Sequence, residues 1–339
     1  MTSQPTVSVV LSGACQGRVR SGADRGCMTT SAIAASGLRK AFGDKIVLDG
    51  IDLEVSEGTV FSLLGPNGAG KTTAVNVLTT LMKADGGTVR VAGHDVATEA
   101  KSVRAVIGVT GQFAAVDELL TGQENLQLMV DLNRATSGGG TRIVTELLER
   151  FDLVESARKP VSTYSGGMRR KLDLAMTLVG NPRVIFLDEP TTGLDPRSRR
   201  TMWETIRGLV ADGVTIFLTT QYLDEADQLA DRVAVLDQGR LVAQGTPDEL
   251  KRQIPGTHLR LRFTTVPDLD AAARIFTDST RDDEALTLRV PSDGGTKSLR
   301  AALDRLDEYS LSAEEFSVHT PDLDDVFLAL TGRTTEAAK

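Results

Sequence analysis

Eight residues constrain this chain more than any others: Gly65, Pro66, Asn67, Gly68, Ala69, Gly70, Lys71 and Thr72, which fit the pattern GxxxxGK[ST]. The glycines let the backbone curl until several N–H groups point at one phosphate. A helix that starts near Lys71 adds its positive dipole end. In this arrangement Lys71 reaches the β- and γ-phosphates of a nucleotide, and the Thr72 hydroxyl binds magnesium. The flanking sequence suits the pattern. Thr59–Leu64 is a short apolar run of the kind that forms a buried strand, and Lys71–Met82 reads as a helix.

A second element complements the first. Val184, Ile185, Phe186 and Leu187 form an apolar run that ends in Asp188 and Glu189. Two carboxylates emerging from a buried strand suit phosphoryl chemistry: Asp188 to hold the magnesium, Glu189 to act as general base on a water. Along the chain, strand-like runs alternate with helical ones. Strands are expected near Val47–Val55 and at Thr88–Ala92, Ala105–Thr110, Val214–Thr219 and Val233–Leu236. Helices are expected at Thr121–Asn133, Arg142–Arg150, Ser165–Val179, Arg197–Ala211 and Leu223–Ala230. Such alternation predicts an α/β fold, a mostly parallel sheet flanked by helices. Gln253, Ile254, Pro255 and Gly256 suggest a boundary. Beyond it, three strands (Leu259–Phe263, Ala285–Val290, Glu315–Val318) and three helices (Leu269–Phe276, Lys297–Leu306, Leu323–Leu330) predict a small α+β domain over 255–339. Leu323, Val326, Phe327 and Leu330 share one helix face, expected to be core of that small domain.

Composition sets limits. A net charge of −8 argues against nonspecific attraction to nucleic acid or anionic lipid. No apolar run nears the roughly 20 residues that cross a bilayer, so a membrane function requires a partner. Cys15 and Cys27 lack metal-ligand spacing, and His94, His258 and His319 are scattered. Residues 1–27 are rich in Ser, Gly, Thr and Arg and lack periodicity, which is expected of a disordered tail or of an extension ahead of a start at Met28.

Between the two phosphate-site halves stand Tyr164, Ser165, Gly166, Gly167, Met168 and Arg169. They resemble the signature motif of ABC ATPases. Other landmarks follow in the order of that family. Gln112 resembles the Q-loop glutamine, Gly193, Leu194 and Asp195 resemble the D-loop, and Phe42 stands where the family has an adenine-stacking ring. The resemblance implies a P-loop ABC ATPase domain over 28–254, with a helical subdomain at about 112–180. It implies that ATP is contacted by Phe42, Val47, the loop 65–72 and Thr73, and that Mg2+ is held by Thr72, Gln112 and Asp188. It also implies a homodimer in which Ser165, Gly166, Gly167 and Asp195 of one chain complete the other's ATP site.

Two stretches narrow the resemblance to the daunorubicin-resistance subfamily of exporter ATPases: Thr219–Asp227 and Leu323–Leu330. That likeness implies efflux of a drug or complex lipid through an integral membrane permease on a separate chain. The subunit would then lie at the cytoplasmic face of the membrane, with no nucleic-acid partner. Gln221 occupies the position where most ABC ATPases carry a switch histidine. A neutral amide there can donate to the γ-phosphate, which makes Gln221 a candidate catalytic residue beside Glu189 and Lys71. The competing expectation is a soluble ABC ATPase outside transport. Against it stand a single cassette and the absence of a coiled-coil pattern.

Overall fold

The computed structural model describes residues 31–133, 140–253, 257–293, 295–319 and 321–331. The expectations for residues 1–27 and for the boundary at Pro255 lie outside these residues.

Two sheets build the first part of the chain. An antiparallel sheet has the order β2-β1-β4-β5, from β1 (Ser31–Phe42), β2 (Lys45–Ser56), β4 (Gly86–Val91) and β5 (His94–Asp95). A six-stranded sheet has the order β10-β9-β3-β8-β7-β6. Its strands are β3 (Val60–Leu64), β6 (Ile107–Thr110), β7 (Val184–Asp188), β8 (Thr215–Thr220), β9 (Arg232–Asp237) and β10 (Arg240–Gly245). Every pairing in it is parallel except β9 with β10. Strands β3, β7 and β8 are buried at every residue, as continuous apolar runs in a sheet covered on both faces must be.

Helices α1 (Lys71–Leu78), α2 (Ala100–Val106), α3 (Gly122–Leu132), α4 (Gly140–Arg150), α5 (Gly166–Leu178), α6 (Pro196–Ala211), α7 (Leu223–Leu229) and α8 (Pro247–Arg252) complete this part. One core joins α1 to both sheets through Leu48, Phe61, Val75, Phe186 and Phe217. A second joins α3, α4, α5 and α6 to the other face of the parallel sheet through Leu126, Leu148, Leu172, Ile206 and Ile216.

Some bounds differ from expectation. Helix α1 stops at Leu78 rather than Met82. Thr79 donates its hydroxyl back to Val75 O at 2.8 Å, and Thr80 turns to φ 67°. Residues 105 and 106, expected to be strand, finish α2 instead. Strand β10 and helix α8 were not foreseen; both are only six residues long, and α8 buries Leu250 alone.

The last part is a four-stranded antiparallel sheet, order β12-β13-β11-β14. It comprises β11 (His258–Arg262), β12 (Thr280–Asp282), β13 (Thr287–Pro291) and β14 (Glu315–His319), with α9 (Val266–Ile275) and α10 (Thr296–Glu308). Its core closes on Leu259, Leu261, Phe263, Leu269, Phe276, Leu288 and Leu306. Helix α11 (Leu323–Thr331) does not belong to that core, which corrects the expectation. Leu323, Val326 and Phe327 pack instead on Leu64, Leu223, Ala226, Val233, Val235 and Leu250 of the first part, and Leu330 stays 38% exposed. Helices α9 and α10 already fill the small sheet's core, so the apolar face of α11 is buried where α7, α8 and β9 offer apolar surface. The histidines are also less scattered than they read. His258 and His319 face each other across β11 and β14 with ring centroids 4.7 Å apart.

Candidate active site

Three parallel strands end side by side. The register sets Leu64 of β3 opposite Thr220 of β8, and Asp188 of β7 opposite Thr219. Gly65, Glu189 and Gln221 therefore leave the sheet together at its carboxyl edge. In open α/β sheets this is where ligands bind. Gly65 N–H donates to Thr220 O at 3.2 Å and Glu189 N–H to Thr219 O at 3.1 Å, which pins the departing chains to one another.

The loop after β3 needs its glycines. Gly68 has φ 79° and Gly70 φ 114°. A Cβ on Gly70 would also lie 2.9 Å from Val47 O and from a Leu48 methyl, so only glycine fits. Val47 is thus placed directly behind the loop. Ala69 is buried, Pro66 half-buried, and Asn67 and Gly68 exposed at the tip.

Lys71 opens α1, and its side chain is 95% buried. Its ammonium donates to Gly65 O at 2.9 Å and Pro66 O at 3.2 Å, and it lies 3.1 Å from Glu189 Oε1. Thr72 donates its hydroxyl to Asp188 Oδ2 at 2.9 Å. The other Asp188 oxygen accepts a close hydrogen bond from Thr219 Oγ1. Glu189 is itself 7% exposed and holds φ 49°, unusual for a residue other than glycine. Thr192 Oγ1 donates to Glu189 Oε2 at 3.4 Å. Thr73 is half-buried on the same helix turn. A hydroxyl and a carboxylate facing each other are hard oxygen donors suited to magnesium, and the loop's N–H groups and the lysine suit phosphate.

Gln221 is half-buried at the end of β8, two residues ahead of α7. Gln112 lies exposed in the loop after β6, the strand beside β7. Phe42 is half exposed at the β1–β2 turn, with the Lys40 ammonium 5.5 Å from its ring centroid. Phe42 is left with half of its surface open to solvent.

The signature segment is built differently. Ser165 caps α5, accepting from Met168 N–H at 3.3 Å, and it and Gly166 are exposed. Gly167 packs so tightly on α6 that a Cβ would meet Ser198 Oγ at 2.8 Å. Asp195 caps α6, accepting from the N–H groups of Arg197 and Ser198 and from the Ser198 hydroxyl at 2.6 Å. The Ser198 hydroxyl and these amides hold the Asp195 carboxyl below its ordinary range. Ser165 and Asp195 thus bond within their own helices, and neither is bonded to the phosphate loop.

Three residues at the site were missed in the sequence. Thr219 orients Asp188, and its only signal is a hydroxyl near the end of an apolar strand. Arg170 and Asp173 stand three apart on α5 and are both buried, on a helix that also buries Leu172, Leu174, Ala175 and Met176. Burial pushes the Asp173 carboxyl up and the Arg170 guanidinium down from their ordinary values, and their mutual attraction opposes both shifts.

Comparison with known proteins identifies relatives over most of the chain. The protein family described as ABC transporter matches residues 48–192. The daunorubicin resistance ATP-binding protein DrrA3 of Streptomyces coeruleorubidus is 48% identical over 316 residues, covering 92% of this chain and 100% of that protein. The Nod factor export ATP-binding protein I of Ralstonia nicotianae is 36% identical, covering 91% and 96%. Among solved structures, the dimeric post-hydrolysis state of the ATP-binding cassette MJ0796 bound to ADP and Pi is similar. It has a TM-score of 0.57 and 26% identity, covering 63% of this chain and 98% of that one.

Proposed function

Since this chain belongs to the daunorubicin-resistance-type ATP-binding proteins of the ABC transporter family, we propose that it hydrolyses ATP to power efflux of a drug or complex lipid through a separate permease. The observation that carries the proposal is the sheet edge, where Lys71 meets Glu189 at 3.1 Å and Thr72 meets Asp188 at 2.9 Å.

The roles follow from the chemistry. The amides of the loop 65–72 and the Lys71 ammonium hold the β- and γ-phosphates, with Thr73 at the same helix start. Phe42 stacks on the adenine and Val47 supports the loop behind it. Thr72, Asp188 and Gln112 hold Mg2+, which when bound offsets negative charge on the phosphate oxygens. Glu189 accepts the proton of the attacking water, and the Gln221 amide donates to the γ-phosphate as charge builds there.

The exposed Ser165 and Gly166 at the start of α5 support a composite site. Their N–H groups and the helix dipole suit an anion supplied from outside the chain. A second copy of this chain brings that anion as its bound ATP, with Asp195 at the seam. Among the described residues no helix is long and apolar enough to cross a membrane. The permease therefore supplies the spanning segments, and this subunit sits on the cytoplasmic face of the membrane through it. The division expected from the sequence, an ATPase domain over 28–254 with its helical subdomain at 112–180 and a small C-terminal domain over 255–339, is part of this proposal, with α11 packed on the first of the two.

The experiment is turnover by Glu189→Gln with its permease. ATP affinity should persist within about threefold, while hydrolysis falls at least about a hundredfold, the scale of a lost general base. Parent-like turnover would remove Glu189 from the role.

A further inference from the structure

We propose that Arg170 and Asp173 are a positioning pair that ties the loop carrying Gln112 to the strand end carrying Glu189. The inference rests on the ATPase reading and adds to it a physical link between the two loops.

The guanidinium of Arg170 spends every donor on backbone or on Asp173. Nε donates to Pro190 O at 2.9 Å. Nη1 donates to Gly111 O at 2.7 Å and lies 3.5 Å from Asp173 Oδ2. Nη2 donates to Asp188 O at 3.2 Å and to Glu189 O at 3.4 Å. Asp173 Oδ1 accepts from Ala115 N–H at 3.0 Å. The pair therefore grips the Gln112 loop on both sides, at Gly111 and at Ala115. With the same fork it grips three consecutive carbonyls around Glu189. Both residues sit on α5, the helix that Ser165 caps.

Stability alone does not call for such a pair. Burying two charges costs several kcal/mol per ion, and apolar residues of similar volume commonly serve a fold as well or better. What an apolar pair cannot do is fix five carbonyl and amide positions at once. Glu189 is where that matters, since its φ of 49° is a conformation the surroundings must impose. A planar, permanently charged fork imposes it on three carbonyls in a row; a lysine ammonium cannot. Movement of Gln112, or of α5 when a second chain docks on Ser165, is thereby transmitted to the base.

The test uses the full chain with its permease. The double variant Arg170→Met/Asp173→Leu takes the partners from the Pro190 and Gly111 carbonyls and the Ala115 N–H. The chain should stay folded, with a melting temperature lowered by no more than about 10 °C. ATP affinity should stay within about threefold, since the phosphate loop is untouched, while kcat falls at least about tenfold. Hydrogen exchange of the Ala115 amide should quicken by about tenfold or more. Arg170→Lys should not restore kcat. Parent kcat and unchanged Ala115 exchange in the folded double variant would overturn the proposal, as would a loss of kcat that merely tracks a fallen melting temperature. If the double variant does not fold, Asp173→Ala, which takes the acceptor from the Ala115 amide and leaves the Arg170 fork on its carbonyls, decides by the same two readouts. Glu189→Gln is run alongside. Should it turn over ATP normally, Glu189 is not the base, and exchange at Ala115 still decides whether the pair holds the loop.

Discussion

The two ends of the nucleotide site contrast. At the carboxyl edge of β3, β7 and β8, Lys71, Asp188 and Glu189 are buried and already bonded to one another or to Thr72 and Thr219. At the start of α5, Ser165 and Gly166 are exposed and bonded only to their own helix. Under the proposed function the first is the phosphate and proton site, and the second is an anion-binding end that a second chain's nucleotide fills. The contrast then makes a single chain hold the chemistry but only half of the enclosure, so turnover should depend on a second chain.

The sharpest ways to break the comparison lie in the finished half. Lys71→Ala removes the ammonium from the phosphates and strips Glu189 of its partner. Nucleotide affinity, read by titration calorimetry, should fall about a hundredfold, the worth of a charge-assisted contact in a dry site. Gln221→Ala should lower steady-state turnover by about ten- to a hundredfold through loss of a transition-state donor. Gln221→His should retain much of the rate, since an imidazole also donates. Parent turnover in Gln221→Ala would take that residue out of the site.

A smaller effect is expected from the packing beside the site. Phe327 of α11 is 5% exposed among Leu64, Leu223 and Val235, next to the strand that feeds the phosphate loop. Phe327→Ala should cost about 3 kcal/mol in denaturant unfolding, the scale of an aromatic deleted from a core. ATP affinity of the folded fraction should hardly change.

The smallest effect concerns the entry to α11. Burial alone would raise the Asp325 carboxyl. The hydrogen bonds from the His319 ring and the Asp322 amide outweigh it, so Asp325 lies below its ordinary range. A depressed carboxyl contributes stability above its unfolded pKa and loses it as pH falls through the folded one. Asp325→Asn should therefore lower stability slightly across the neutral region and flatten the acid limb below about pH 4, so that the two curves meet at low pH. An unchanged acid limb would show that the bond contributes nothing.

How much of this was legible in the sequence follows from where each interaction lives. β3, β7 and β8 could be read because an apolar run is its own signal for a doubly covered strand. The phosphate loop could be read because its glycines and lysine are consecutive. Helix α11 showed its apolar face but not its destination, since periodicity says which side is buried and nothing about against what. Arg170 was invisible as a hub because its acceptors are backbone carbonyls at Gly111, Asp188, Glu189 and Pro190, which any side chain could carry. The His258–His319 contact depends on the register of β11 and β14, which two distant strands do not declare in advance.

The central claim, that each chain supplies one half of two shared sites, is tested most directly by mixing two inactive chains. Lys71→Ala and Ser165→Arg, each assembled alone with the permease, should hydrolyse almost no ATP. Assembled together at equal amounts, random pairing should place one intact site in half of the dimers and restore about a quarter of the parent rate. Parent-like ATP hydrolysis by Ser165→Arg alone would contradict the claim.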